Sequence, residues 1–498
     1  MMGRTRQTAA HGGQPNGRHG WRRVACGAFV AALGAIATGP AAPFDAVRAA
    51  NVAQFAPPPR VERIYLSLVM RQALRRDIPA AQTAPPPTNT PEPTNTSEPT
   101  AVPSPTAIPG QPGPCRGPLD TRVSTRPIDI GEYEVNRRAT YFTSMPVLAA
   151  PVDLGRTIVA WPDTDGQIHF SFVTSLGRRE HDDVKVQGDS VHGLAAVGAD
   201  GGAALVRNNT QMLLVRFKTD GTVPWKTVVV GDGGTGSGKK WARPDWTHES
   251  RLRWTGEVFA AYIGHTQNFG SGGVHQGDLM WLFDGDGKRV LPETEKARDY
   301  PQWDWGCSHS LDVRLRYNRR QDIVGPVCLS DSFPAKAIVY RHGPTLKSEP
   351  SGDGNGHSDA ALGGLVTIEG RGEDDGFALN FQSKEGRKSY DIGLVRVYGD
   401  AEEISDPYWF TNSAAVDEVA PHMANYGEHL LVGWNEGDQL KLSVFSTRAE
   451  PREAPVSVPA AVGAHDDFEN YPNGDVGWAY ASDDGTQLRL ARVQLCYP

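Results

Sequence analysis

Several things are scarce in this chain of 498 residues, and each absence narrows what it can be. Only one short apolar run of note occurs, near the N-terminus, and mean hydropathy is −0.43, which excludes a polytopic membrane protein. No sustained 3.6-residue apolar period is present, and 55 Gly and 38 Pro are spread throughout, which excludes a long coiled coil. Basic excess is missing too. Residues 1–44 hold 5 of the 50 Lys and Arg and none of the 58 Asp and Glu, so the remainder carries 45 − 58 = −13. A charge of that sign argues against a nucleic-acid partner.

The acid-free start is informative. Arg4, Arg6, Arg18, Arg22 and Arg23 precede an apolar stretch of 14 residues from Val24 to about Ala37, followed by small residues and Val47-Arg48-Ala49. A basic region, a short apolar core and a small-residue cleavage site predict a secretory signal peptide over 1–50. Residues 51–78 form a leader segment, in which RVERIYLSLVMRQ (60–72) resembles a leader-region sequence of exported bacterial surface proteins. From Pro79 to Pro118 there are 13 Pro and 7 Thr. Such a segment cannot bury apolar surface, so 79–114 is expected to be a disordered, extended linker that spans on the order of 110 Å as polyproline II.

Residues 115–498 carry a repeat. An apolar strand followed by a turn recurs as IHFSFVTS around Phe172, LLVRFKTDG around Phe217, LMWLFDGDG around Phe283, KAIVYRHG at Tyr340, GLVRVYGD at Val397, LKLSVFST at Phe445 and LRLARVQL at Val493. The spacings are 45, 66, 57, 57, 48 and 48. A second strand precedes each copy, joined to it by a turn such as Asp-Thr-Asp-Gly or Asn-Asn-Thr, and a fourth often follows, as in WKTVVV (225–230). Four short antiparallel strands per unit of about 55 residues describe a β-propeller blade. The expected fold is all-β, a single seven-bladed β-propeller. Its last unit ends at a third strand, so the missing fourth strand is expected from residues 117–130, latching the ring shut. Cys115 and Cys496 lie at the two ends of that ring, and a disulfide there stabilises by about 4–5 kcal/mol in the chain-entropy model. Cys307 and Cys328 flank the first strand and turn of the fourth unit and are expected to form the other bridge.

A histidine recurs near the start of six units: His192, His248, His309, His357, His422 and His465. Placed on innermost strands, these side chains would ring the channel mouth, either bracing their own blades or contributing to a binding surface. A metal held by all six is disfavoured, because zinc takes three or four converging ligands. Gly356-His357 resembles the Gly-His pair of WD-repeat propellers, but the Trp-Asp pair of those blades is not repeated, so no family is assigned. Two aromatic-rich loops enter the third and fourth units, with Trp241 and Trp246 in one and Tyr300, Trp303 and Trp305 in the other. Trp beside Asp245, Asp304 and histidine suits stacking on a sugar ring, or equally plugs a gap between blades.

Carboxylates in the same region are Glu249, Asp312, Asp359, Asp466 and Asp467. Sialidase-type propellers repeat S-x-D-x-G-x-x-W, from which Ser482-Asp483-Asp484-Gly485 departs in spacing. Phe283-Asp284-Gly285-Asp286-Gly287-Lys288 resembles the calcium loops of integrin-like propellers but occurs once, as a plain hairpin turn would. No phosphate loop, G-x-S-x-G, H-E-x-x-H or C-x-x-C motif is present. The combination is that of an exported bacterial surface propeller on a stalk. Its expected role is non-catalytic recognition of a glycan or a cell-surface protein, using His192, His248, His309, His357, His422, His465, Trp246 and Trp305. The competing expectation is an extracellular carbohydrate-active hydrolase or lyase with His and Asp at the channel mouth, and a third is a purely structural propeller. No cofactor, metal, nucleic acid or membrane span of the mature chain is implied, and the expected state is a secreted or cell-surface monomer.

Overall fold

A computed structural model describes residues 113–114, 117–137, 147–231, 241–244, 250–270, 273–292, 300–307, 310–330, 337–342, 345–350, 360–368, 376–384, 386–398, 405–463 and 468–497. Contacts divide the chain into two units, Met1–Ala101 and Val102–Pro498, and every described residue belongs to the second. The expected signal peptide, leader and nearly all of the stalk lie outside the described residues.

Among the described residues the fold is all-β, with two 3-10 turns, Leu119–Arg122 and Gly198–Asp200, as its helical elements. Six sheets are four-stranded, one is five-stranded, and a two-stranded pair joins the chain ends. Every recurring segment read from the sequence is the third strand of its sheet: Gln167–Thr174, Gln211–Lys218, Val274–Phe283, Ala337–His342, Asp391–Tyr398, Gln439–Phe445 and Leu488–Val493. The first strands are Leu148–Pro151, Ser190–Ala196, Ser250–Trp254, Ser310–Asn318, Ala361–Ile368, Glu418–Tyr426 and Glu469–Asn470. Each packs on the next, and the Glu469 strand returns to the Leu148 strand, so the sheets stand in a propeller arrangement about a central axis.

Alternation along each strand places apolar side chains on both faces, and both faces are covered by neighbouring sheets. One apolar cluster joins Phe170 and Phe172 of the first sheet to Val215 and Phe217 of the second, with the Phe170 and Phe217 rings stacked at 3.9 Å. Another joins Trp161 of the first sheet to Ala479 and Leu490 of the last. Burial between sheets, rather than within any one of them, is what holds the strands in register.

The five-stranded sheet is a regular sheet with a divided inner edge. Trp241–Pro244 pairs with residues 265–268 of the long strand Phe259–Asn268, and Ser250–Trp254 pairs with residues 259–263 of the same strand. The two short strands therefore lie end to end along one partner.

The last sheet takes its outer strand from the beginning of the domain. Val123–Ile128 pairs antiparallel with Leu488–Val493, as the missing fourth strand required. Just before it, the nearly buried Arg122 donates to Tyr426 Oη at 3.1 Å and Cys496 Sγ at 3.0 Å and pairs with Glu453, tying the latch to the preceding sheet. Gly113–Pro114 runs parallel to Cys496–Tyr497, with Gly113 opposite Cys496. Cys496 is disulfide-bonded; Cys115, its expected partner, lies outside the described residues. Cys307 and Cys328 form the second expected bridge.

Candidate functional site

The first strands pack on one another around the axis, and two of the recurrent histidines stand on them. His192 sits on the Ser190–Ala196 strand, buried, with Nε2 2.7 Å from Ser190 Oγ. His422 sits on the Glu418–Tyr426 strand, also buried; its Nε2 donates to the Gly463 carbonyl at 2.9 Å while its ring stacks on Phe468 at 5.1 Å. His248, His309, His357, His465 and Trp246 lie outside the described residues, as do Asp245, Glu249, Asp359, Asp466 and Asp467. Asp312 is buried against Arg314 and accepts the Leu362 N–H at 3.1 Å, so it ties two first strands together.

His192 lines a narrow cleft with Arg251, Arg253 and Glu469. Glu469, from the last sheet, pairs with Arg253 at 2.8 Å and Arg316 at 3.1 Å, which belong to the sheets on the far wall. Ion pairs thus span the axis. These groups are largely shielded from water, which strengthens their mutual attraction.

Trp305 is half-buried. Its indole lies flat over Gly277, where a Cβ would meet the ring at 2.7 Å, and its edge meets His265 and Phe269. Beneath it, Asp278 is fully buried. The carboxylate accepts hydrogen bonds from Trp303 Nε1 at 2.9 Å, the Cys307 N–H at 2.9 Å and Tyr262 Oη at 2.6 Å. Asp278, Cys307 and Cys328 come close enough to resemble a metal site, but the two sulfurs are bonded to each other and offer no thiolate. The aspartate is instead the anchor of the segment 300–307. Asp278→Ala strands three buried donors at once and is expected to cost about 3–5 kcal/mol in urea unfolding. A loss below about 1 kcal/mol would show that the segment holds without it.

A second cleft, open and of about 410 Å³, lies at one end of the fifth sheet. One wall is the turn between Gly376–Ser383 and Asp391–Tyr398, which supplies Gly386, Arg387 and Lys388. The other is the segment leaving Tyr408–Trp409 toward the Glu418 strand, which supplies Asn412, Ser413 and Ala414. In a four-stranded meander these two connections fall at the same end of the sheet, so the cleft opens on the interblade-loop face. Arg387 lies 3.5 Å over the Trp409 ring, and its Nη1 donates to Asp391 Oδ2 at 2.7 Å and Asn412 Oδ1 at 3.1 Å. Asp391 is buried and also accepts the Ser413 N–H at 2.7 Å. Behind it, burial pushes the Glu418 carboxyl up to about 7; a Thr411 hydrogen bond opposes this, while the charges of Asp391 and Glu436 and a hydrogen bond with Asp391 reinforce it. Glu418 Oε2 has no hydrogen-bond partner among the described residues.

No protein-family model and no curated protein matches the chain. Among solved structures, it is similar to BBS1N in complex with ARL6DN, at 10% identity over 74% of this chain and 98% of that one, TM-score 0.42. It is similar also to the α-L-arabinanase of Penicillium chrysogenum complexed with arabinobiose, at 10% identity over 74% of this chain and 98% of that one, TM-score 0.37. A third is SapL1 lectin in complex with α-methyl fucoside, at 9% identity over 65% of this chain and 98% of that one, TM-score 0.34. A lectin and an arabinanase side by side do not choose between binding and catalysis.

The second cleft carries no repeat and no motif, so the blade periodicity passes over it. Its one local signal is composition: Lys384, Arg387 and Lys388 crowd a strand-to-strand turn where other units place Asp and Gly.

Proposed function

We propose that the chain is an exported, seven-bladed propeller on a Pro/Thr-rich stalk that acts as a non-catalytic binding module for glycans, through the face built by its interblade loops. The blade count treats the five-stranded sheet, with its divided inner edge, as one blade beside the six regular ones. The signal peptide and stalk are read from residues 1–114.

The observation that carries the reading is the open cleft at the end of the fifth sheet, whose lining is mostly charged and hydrogen-bonding side chains. Hydrolysis is the weaker alternative. Glycosidases hold two carboxyl groups roughly 5–9 Å apart so that a sugar or a water fits between them, whereas Asp391 is the one carboxylate lining this cleft, its oxygens engaged by Arg387 and the Ser413 N–H, and Glu418 is buried outside the lining. His192 and His422 are buried and already bonded. Asp312 is spent on Arg314.

Glycan-array binding and release of reducing ends, measured on the same full-length protein, test the proposal. Retention of a glycan recovered intact is the expected result. Turnover of the retained glycan would overturn it in favour of a hydrolase or lyase, and no retention of any glycan would overturn it outright.

A further inference from the structure

We infer that the cleft at the end of the fifth sheet recognises the carboxylate of an acidic sugar, a uronate or sialate residue, through Arg387. This deepens the binding-module reading and rests on it.

Arg387 is held in one orientation before any ligand arrives. Its plane is fixed on the Trp409 ring at 3.5 Å. All of its hydrogen bonds leave from Nη1, to Asp391 Oδ2 at 2.7 Å, Asn412 Oδ1 at 3.1 Å and the Thr411 carbonyl at 3.5 Å. The other edge, Nε–H and Nη2–H, makes no hydrogen bond with the described residues, and the residue lines the cleft. Two parallel N–H groups on a fixed guanidinium match the two oxygens of a carboxylate, a geometry that lysine cannot reproduce. Since stacking and the Nη1 bonds have already ordered the side chain, binding forfeits little rotamer entropy.

The surroundings favour a sugar acid over an acidic peptide. Charge comes from Arg387 and the neighbouring Lys388, against one lining carboxylate, Asp391, whose oxygens are engaged by Arg387 and the Ser413 N–H. Asn412 spends its amide oxygen on Arg387, which leaves its N–H₂ to donate. The Ser413 hydroxyl accepts the Val416 N–H at 3.1 Å and keeps its own proton to give. Neutral donors beside a carboxylate fork suit the hydroxyls of a sugar ring. Apolar lining is confined to Trp409 and Ala414, too little to seat the side chains of a peptide.

The test is calorimetric titration of the full-length protein with a panel of uronate and sialate oligosaccharides, their carboxyl-reduced counterparts and hexaglutamate. Wild type is expected to bind at least one acidic oligosaccharide at least tenfold more tightly than its reduced form. Arg387→Lys, which keeps the charge and removes the fork, is expected to weaken that binding at least tenfold while leaving the melting temperature unchanged. Arg387→Ala reads the loss of the charge as well, with the melt as its control for folding. Equal binding of acidic and reduced sugars, or a hit unaffected by Arg387→Lys, would overturn the inference and leave the binding-module reading standing. Hexaglutamate binding as tight as the best sugar would overturn the choice of a glycan. Failure of every oligosaccharide, acidic or neutral, would overturn both.

Discussion

Replacing His169 with alanine is expected to destabilise the propeller by about 3–5 kcal/mol, the range for removing one partner of a buried charged cluster. His169 lies on the strand Gln167–Thr174 and is fully buried. Nε2 is 2.9 Å from Asp163 Oδ2 and Nδ1 is 3.0 Å from Asp183 Oδ2, so one ring bridges two carboxylates. It also stacks on Trp161 at 4.0 Å. Burial pushes the Asp183 carboxyl up, yet hydrogen bonds from His169 and Ser171 and the nearby Arg179 together hold it below the usual carboxylate value. Asp163 works on two levels: its other oxygen accepts the N–H groups of Asp165 and Gln167 and so closes the hairpin before the same strand. Alanine leaves both carboxylates without the donor between them and removes the stacking surface of Trp161. Urea unfolding of the full-length protein, read by tryptophan fluorescence, measures the loss. A midpoint shift worth less than about 1 kcal/mol would sink the claim that the bridge holds the first sheet. His169→Gln, which can restore one of the two hydrogen bonds, is expected to fall between alanine and wild type.

That cluster shows what the sequence could and could not disclose. The propeller arrangement was legible because its strongest signal is local: an apolar strand, a tight turn and a paired strand, repeated at near-constant spacing. The latch was legible by subtraction, since LRLARVQL had no following strand and residues 117–130 had no other partner. The divided inner edge was not, because nothing in Trp241–Trp254 announces that two short strands will share one long neighbour. His169 is silent in the sequence for a related reason. It does not recur from unit to unit, whereas His192 and His422 belong to a recurring set, and spacing marks only what recurs. Its acids, at positions 163 and 183, reach it through strand pairing and burial, neither of which spacing reveals. The Arg387 cleft is the same case at longer range. Residues 386–388 and 409–414 are separated by an entire strand, and they converge because a meander returns alternate connections to one end of its sheet. Periodicity therefore reports the frame, while sites arise where individual units depart from it.

Glu418 supplies a pH-dependent departure of this kind. Its carboxyl is raised to about 7 from an ordinary 4.5, chiefly by burial. The charged groups around it come from three elements: Asp391, held by Arg387, on the fifth sheet; Glu436 on the paired strand; and Lys441, 3.5 Å from Glu436, on the strand beyond. A carboxyl that binds its proton more tightly folded than unfolded stabilises the fold fully below about 4.5, and that contribution disappears as pH rises through about 7. The full span is on the order of 3 kcal/mol at about 1.4 kcal/mol per unit. Glu418→Gln keeps the shape of the protonated acid and cannot ionise. Near pH 5 the variant is expected to match wild type; near pH 8 it should be the more stable of the two by about 1–3 kcal/mol. Chemical unfolding of both full-length proteins across that interval decides the matter. Parallel stability profiles would mean that Glu418 ionises no differently in the folded and unfolded chains. A variant that gains only at high pH would place a protonated Glu418 carboxyl, near the charge of Asp391, behind the wall of the Arg387 cleft. Ligand affinity there would then be expected to change over the same interval, because Asp391 is the acid that holds Arg387 in position.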